Sequence, residues 1–252
     1  MDQLLFLFAA GCIGGGMNAL AGGGSFVTLP SLIAAGVPSV MANASSTVAL
    51  WPGGAASAWT YHERFKPVCG VVLPPMLAVT LVGGLVGSLL LLWTPSAAFD
   101  VILPWLLLLA TLALAFGRRL SVALRGRLDG NTPLVLVLQF VLGIYGGYFG
   151  GAVGLMMVAV WSLMGEMDIK ALNAPRTLLV TTANSIAVIA FAIAGAVRWP
   201  ETIAMLLGGL IGGYAGARIG KMLPAPVIRI ATICTTAAIT GAFFYRAYLR
   251  GH

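Results

Sequence analysis

The sequence predicts an all-α integral membrane protein with two homologous halves of four apolar segments each. Three observations support this fold class. Hydrophobic residues make up 60% of the chain, charged residues make up only 8%, and glycine-broken apolar segments recur at matching places in the two halves. Soluble domains carry about 25% charged residues. A chain of 252 residues this poor in charge has no soluble fold that would hide its apolar surface.

Eight apolar segments follow one another, each at least near the ~20 residues that span a bilayer. We expect them at about 3–36, 40–61, 70–93, 98–117, 133–165, 171–195, 201–222 and 226–247. This order divides the chain into a first repeat at 1–117, a basic linker at 118–131 and a second repeat at 132–252. The linker carries four arginines, so the positive-inside rule places it in the cytoplasm.

The first segment is too long for a single helical crossing. As one helix it would measure ~50 Å, against a hydrocarbon core of ~30 Å. It also contains two runs of three glycines, at 14–16 and 22–24, and so many glycines disfavour one regular helix. We expect two half-helices that meet at an unwound break, and that either cross the membrane once or re-enter it. Segment 5 has a similar length and contains a second glycine-rich stretch at 143–154.

The two halves share three sequence blocks in the same order. At an offset of 132 residues, the matched glycines are Gly11 with Gly143, Gly14 with Gly146, Gly15 with Gly147 and Gly22 with Gly154. Asn43-Ala44-x-x-Thr47 matches Asn173-Ala174-x-x-Thr177, and the glycine motif at 81–87 matches the one at 206–212. An internal repeat with a broken helix in each half is typical of secondary transporters.

A broken helix exposes backbone N–H groups and a positive dipole end, and both attract anions. Two such breaks that face each other near the bilayer midplane would form one anion site. The alternative is that glycines only allow close helix packing, which suits Gly83, Gly87, Gly208, Gly212, Gly216 and Gly220. The candidate binding residues are Asn18, Gly22, Gly23, Gly24, Ser25, Asn43, Ser46, Thr47, Gly150, Gly151, Asn173, Arg176, Thr177 and Asn184.

Arg176 is the one cation of this set, and it lies one turn into segment 6. A charge inside a membrane segment is costly and usually faces a partner or a water-filled cavity. It could bind a substrate oxyanion with two hydrogen bonds. Alternatively, it could extend to the membrane interface, because it lies near a predicted helix end.

Other classes of function have little support in the sequence. Asp100 is the one acidic residue expected inside a segment, which disfavours a cation pathway or a carboxylate proton relay. The three cysteines have no metal-ligand spacing, and no histidine lies within a segment. We therefore expect no enzyme activity, cofactor or metal. The net charge of +7 is assigned to membrane topology and lipid contacts rather than to nucleic-acid binding.

The chain resembles the sulfite exporter TauE/SafE family, also called the toluene-sulfonate uptake permeases. The resemblance rests on GGGMNALAGGGS at 14–25, ANASST at 42–47, and the second-half copy with NAPRT at 173–177. It implies a multi-pass carrier of the bacterial inner membrane that moves small sulfur oxyanions or organosulfonates. Leu155 and Met156 replace Gly23 and Gly24 in the second copy, so unequal use of the two halves is an open question.

The leading hypothesis is a secondary transporter of small anions such as sulfite, thiosulfate or sulfoacetate. The alternatives are an uncoupled anion channel and a membrane enzyme or assembly factor. The expected partners are a small anion, with proton coupling as one option, and the lipid bilayer. The chain would act as a monomer or a homodimer.

Overall fold

The computed structural model describes residues 2–60, 67–123, 131–164, 171–219, 222 and 224–249. In these residues the chain forms ten α-helices, a closing π-helical turn at Tyr245–Leu249 and one isolated bridge between Val68 and Val71. The helices are α1 (Asp2–Ala21), α2 (Ser25–Ala34), α3 (Ser39–Thr60), α4 (Leu73–Trp93), α5 (Ser96–Ala123), α6 (Thr132–Tyr148), α7 (Val153–Met164), α8 (Asn173–Ile193), α9 (Trp199–Ile219) and α10 (Ala225–Phe244).

The all-helical membrane fold is confirmed. Six helices of the described chain are long and apolar enough to cross a bilayer, namely α1, α4, α5, α8, α9 and α10. Each of the eight predicted segments contains a helix, and segments 1 and 5 contain two each. Helix α5 runs six residues past its predicted end, into the predicted linker. Leaving the apolar core does not itself end a helix, and no proline follows at this point.

Of the two glycine runs in the first segment, only the second interrupts the helix. Helix α1 continues through the first run, at 14–16, and ends only at Ala21. The break lies at 22–24, where Gly22 has a φ of +74°, a conformation that glycine adopts easily. The earlier glycines stay helical because other helices pack closely against them, which offsets their low intrinsic helix propensity.

The break in segment 5 comes one helical turn earlier than the repeat offset predicts. Helix α6 ends at Tyr148, and the interruption occupies 149–152, with positive φ angles at Gly150 (+76°) and Ala152 (+56°). Leu155 and Met156 are therefore not in the break but inside α7. The absence of glycine at positions 155 and 156 therefore does not close the second break.

The chain reverses direction at each break. The side-chain nitrogen of Gln3, at the start of α1, donates a 2.6 Å hydrogen bond to the carbonyl of Ala35, just after α2. In the other hairpin, the indole N–H of Trp161 donates to the side-chain oxygen of Gln139 at 3.2 Å. Helix α2, with 10 residues, is ~15 Å long and returns about half a bilayer thickness. This geometry fits the re-entrant alternative.

The helices form two compact units, and each unit combines segments of both repeats. One unit consists of Met1–Gly53, Leu92–Thr111 and Phe191–His252, and the other of Gly54–Leu91 and Leu112–Ala190. Thus α1 of the first repeat shares a unit with α9 of the second, while α4 shares a unit with α6. The sequence boundaries of the two repeats stay a prediction.

In the first unit, α1 and α9 pack with their backbones in contact. A methyl group added to Gly15 would overlap the carbonyl oxygen of Gly209, and one added to Gly212 would overlap that of Cys12. Side chains larger than hydrogen would force the two helices apart. The glycines therefore set the distance between these helices.

In the second unit, α4 and α6 meet in the same way. A methyl group on Gly147 would overlap the carbonyl oxygen of Gly84, and one on Gly87 would overlap that of Ile144. Gly147 matches Gly15 in the repeat, and Gly87 matches Gly212. The packing interpretation is confirmed for Gly83, Gly87, Gly208, Gly212 and Gly216, whereas Gly220 lies outside the described residues.

A buried polar chain fixes α4, α6 and α7 in the second unit. Fully buried Gln139 donates to the hydroxyl of Thr80 at 2.8 Å and accepts from fully buried Trp161 at 3.2 Å. A glutamine amide inside apolar surroundings is costly unless it is hydrogen-bonded. Its bonds therefore favour one register of the hairpin.

Cys69 lies in the turn between α3 and α4, with a φ of +51°. Its thiol donates to the carbonyl of Trp161 at 3.4 Å. Burial raises the pKa of the Cys69 thiol to about 11, because a thiolate is poorly solvated there. The turn is thus attached to α7 by a protonated thiol.

Gly212→Ala should lower the stability of the purified protein by about 2–3 kcal/mol, the upper range for overpacking, because backbone atoms would have to move. Gly241→Ala is the matched control, since a methyl group there meets nothing within 4 Å. It should be neutral or slightly stabilising. Thermal unfolding in detergent measures both, and equal melting temperatures for the two variants would contradict the backbone-contact interpretation.

In a Cys12→Ser/Cys234→Ser variant, Cys69 should react with maleimide only slowly at pH 7.5. Its raised pKa leaves about a hundredfold fewer thiolates than an ordinary cysteine has. Labelling should rise steeply as the pH approaches 11, and at pH 7.5 it should become fast after denaturation. Rapid labelling of the native protein at neutral pH would show that the thiol is not held in this way.

Candidate functional site

The first break joins α1 to α2 in the first unit. Helix α2 begins after Gly24, which supplies no side-chain cap, and its first turns are held by hydrogen bonds to the carbonyls of Gly23 and Gly24. Gly23 and Gly24 are buried, whereas Gly22 is exposed. A helix start without a side-chain cap is a site where an anion could bind.

The surroundings of this first break are closely packed. A methyl group on Gly24 would lie 2.8 Å from Cβ of Asn18 and 3.1 Å from a methyl carbon of Leu50. One on Gly23 would lie 3.4 Å from the methyl carbon of Thr232 in α10. The carbonyl oxygen of Gly14 is still nearer to such a methyl group on Gly24, at 2.6 Å, so the two buried glycines are enclosed by carbon atoms and one backbone carbonyl.

The polar start of α3 is largely engaged within the protein. The hydroxyls of Ser46 and Thr28 lie 2.6 Å apart, and both side chains are buried. Thr47 donates to the carbonyl of Asn43 at 2.9 Å. The neighbouring Ser45, which is not among the candidate residues, accepts a hydrogen bond from the backbone N–H of Arg198 at 3.0 Å.

The second break joins α6 to α7 in the second unit. The phenol of Tyr145 donates to the carbonyl of Gly151 at 2.9 Å and holds the loop against α6. Gly150 is half-buried and Gly151 is buried. This break thus has a fixed shape, with part of its surface accessible.

Arg176 lies across the first turn of α7. Its Cδ and Cγ atoms would be 3.1 and 3.2 Å from a methyl group on Gly154. A methyl group at this position would require the arginine stem to shift by a few tenths of an ångström. The side chain is half-buried, and Thr177 beside it donates to the carbonyl of Asn173 at 2.8 Å. The guanidinium stem is thus positioned at the helix start that follows the break.

Asn184 lies two turns further along α8. Its side-chain oxygen is buried, has no hydrogen-bond partner among the described residues, and would be 3.7 Å from a methyl group on Gly150. Arg176, Val180 and Asn184 are spaced by four residues, so they lie along one side of α8. That side faces the second break.

The structure therefore assigns the candidate residues to two separate groups. The first unit holds Asn18, Gly22, Gly23, Gly24, Ser25, Asn43, Ser46 and Thr47, and the second holds Gly150, Gly151, Asn173, Arg176, Thr177 and Asn184.

The expectation that Asp100 is the one acid within the segments is wrong. Glu201 lies in the first turn of α9, and its side chain is 14% exposed. One carboxylate oxygen lies 3.4 Å from Arg198, and the other is buried with no partner among the described residues. The sequence signal was weak because Glu201 is the first residue of predicted segment 7, where an acid usually indicates a loop.

Comparison with known proteins identifies the family of the chain. The family model described as sulfite exporter TauE/SafE matches residues 7–243. The probable membrane transporter protein YfcA of Escherichia coli K12 is 28% identical over 243 residues, which cover 96% of this chain and 90% of that protein.

Two further relatives also align with nearly the whole chain. A probable membrane transporter protein of Haemophilus influenzae is 29% identical over 242 residues, covering 94% of each chain. The probable membrane transporter protein ORF9 of a Sinorhizobium species is 29% identical over 239 residues, covering 94% of this chain and 90% of that protein. No solved structure matches the chain. With six membrane-length apolar helices among the described residues and a family match over nearly its full length, this chain belongs to the sulfite exporter TauE/SafE family of multi-pass inner-membrane transporters.

Proposed function

We propose that this protein is a secondary transporter of small anions, of the sulfur oxyanion or organosulfonate type, and that the anion binds at the helix breaks. The observation that carries the proposal is the placement of Arg176 across the first turn of α7, next to an interrupted helix. A fixed positive charge and a helix start act together on a negative solute.

The cost of placing arginine in a membrane segment supports a ligand role. A charged side chain costs about 3 kcal/mol at the centre of a membrane helix on insertion scales, and Arg176, in the first turn of α8, bears a smaller part of that cost. Guanidinium stays charged at any physiological pH and offers donors in a planar fork that matches oxyanions. Gly154 accommodates the stem of Arg176, so this position combines a costly residue with a neighbour that has no side chain.

The family description and the site chemistry together support the proposed substrate class. The family model is named for sulfite export, whereas the relatives are named only as probable membrane transporters. Sulfite, thiosulfate and sulfonates are small oxyanions that a guanidinium binds bidentately. Glycines at 150, 151 and 154 would let the anion approach the backbone closely.

The mechanism is proposed to be that of a carrier. In known secondary transporters, broken helices bind the substrate near the bilayer midplane and the surrounding repeats alternate access to it. An uncoupled channel is the second possibility within transport, and kinetics separates the two. A carrier saturates with substrate and is accelerated by substrate on the opposite side.

Purified protein in liposomes should take up at least one of sulfite, thiosulfate, sulfoacetate or taurine, and chloride much more slowly. Uptake should saturate and show trans-stimulation. Measuring uptake with and without a pH gradient tests proton coupling. Glu201→Gln then tests whether the largely buried carboxyl group in the first turn of α9 takes part in that coupling. If liposomes take up no anion under any gradient, the proposed function is wrong.

Arg176→Gln should lower the transport efficiency for the best anion by about ten- to a hundredfold, because a charge-assisted hydrogen bond contributes roughly 1.5–3 kcal/mol. Arg246→Gln is the charge-matched control, since Arg246 is exposed in the π-helical turn. It should transport like the wild type. Unchanged uptake kinetics in folded Arg176→Gln protein would instead assign Arg176 to contact with the membrane interface.

A further inference from the structure

The two helix breaks lie within one helical turn of equivalent places in the repeat, but they differ in chemistry. In the first unit, Ser46 and Leu50 of α3 contact α2; in the second, Arg176 and Val180 of α8 contact α7. These two pairs are related by the same offset of 130 residues that relates Asn43 to Asn173. The same structural position therefore holds a small hydroxyl in one half and a guanidinium in the other.

The first break is closed by short-range contacts. Ser46 and Thr28 satisfy each other at 2.6 Å, and Thr28 also donates to the carbonyl of Gly24 at 3.2 Å. The exposed fraction of Thr28 is 0% and that of Ser46 is 1%. Thr232 contributes a methyl group at Gly23 rather than its hydroxyl, which donates to the carbonyl of Ile228. The hydroxyls of Thr28, Ser46 and Thr232 are thus already engaged within the protein.

The second break has a polar group that the protein leaves unsatisfied. The oxygen of Asn184 is buried next to Gly150 and accepts no hydrogen bond from any described residue. An acceptor buried without a donor is costly, and natural proteins seldom keep one without a reason. Arg176, on the same side of α8, brings the positive charge to the other end of the break.

We propose that only the second break binds the anion, and that Asn184 accepts a hydrogen bond from it, so the transporter selects anions that carry a donor O–H or N–H. The first break is then a packed structural joint. This inference rests on the proposed function and specifies its substrate class. The anionic end of the substrate pairs with Arg176, and its donor satisfies Asn184.

The ligand chemistry that fits both groups is narrow. A hydroxy- or aminosulfonate carries a sulfonate for the guanidinium and a separate O–H or N–H for the amide oxygen. A singly protonated oxyanion carries both functions on one centre. An anion without a donor would bury the Asn184 oxygen unpaired, which sites built around a hydrogen bond strongly reject.

The test compares two sulfonates with the same number of heavy atoms, 2-hydroxyethanesulfonate and 1-propanesulfonate. Each is used to compete with uptake of radiolabelled sulfite into liposomes. Wild-type protein should prefer the hydroxylated anion by about tenfold, the cost of leaving one buried acceptor unsatisfied. Asn184→Leu, which is nearly isosteric and lacks the acceptor, should reduce the preference to about one.

Variants at the first break serve as matched controls. Thr28→Val removes the hydroxyl that pairs with Ser46, and Thr232→Val keeps the methyl group that faces Gly23. Both should retain the wild-type preference, even where Thr28→Val lowers the melting temperature. Asn184→Ala is the second variant at the proposed site, for the case that leucine prevents folding, and melting curves establish that each protein is folded.

The outcomes separate the inference from the proposed function. Anion uptake by the wild type with no preference between the two sulfonates would overturn the inference alone. A preference for the hydroxylated sulfonate that survives in Asn184→Leu and Asn184→Ala but is lost in folded Thr28→Val would also overturn the inference alone. Wild-type liposomes that take up no anion would overturn the proposed function and this inference with it.

Discussion

Close backbone contact between helices is the constraint on which the rest of this structure depends. At the α1–α9 and α4–α6 crossings, carbonyl oxygens of one helix lie where a side-chain carbon of the other would be. Inside a bilayer no hydrophobic driving force brings helices together, so van der Waals contact and interhelical hydrogen bonds hold them. Glycine gives up intrinsic helix stability and in return permits that contact. Both re-entrant hairpins are anchored on these two crossings, because α1 and α6 each belong to one hairpin and one crossing.

The hairpins place polar groups where the membrane would otherwise exclude them. Non-helical backbone at bilayer depth is tolerated only where protein or water covers it. In the first hairpin, the Thr28–Ser46 pair and neighbouring apolar atoms provide that cover. In the second, Tyr145 holds the loop while Arg176 and Asn184 lie beside it. One architecture thus supports a closed joint in one half and a polar, partly accessible break in the other.

Much of this fold could be predicted from residue order, and the errors have a common cause. Segment number and length follow from hydrophobicity, and the need for reversals follows from helices too long for the bilayer. Glycine alone does not reveal whether it interrupts a helix or packs against one. Gly15 is helical because Gly209 lies against it, almost two hundred residues away in sequence, whereas Gly22 adopts a positive φ. Such partners cannot be identified before the topology is known.

The candidate site shows the same limit. Arg176 and Asn184 could be selected because polar residues in an apolar helix are conspicuous, and both lie beside the second break. Ser46 was selected for the same reason, but its partner Thr28, on α2, was not. Glu201 was overlooked because its burial depends on Arg198 and the start of α9 rather than on its own segment.

The interleaving of the two repeats has a consequence for how the protein is made. Helix α1 leaves the ribosome first, but α9, the helix that shares its unit and its glycine contacts, begins only at Trp199. At 5–20 residues per second, the wait is roughly 10–40 s. During that interval the glycine-lined groove of α1 must be filled by lipid or by the insertion machinery. The amino-terminal half made alone would therefore lack the helix against which α1 packs, and it would be a target for membrane quality control.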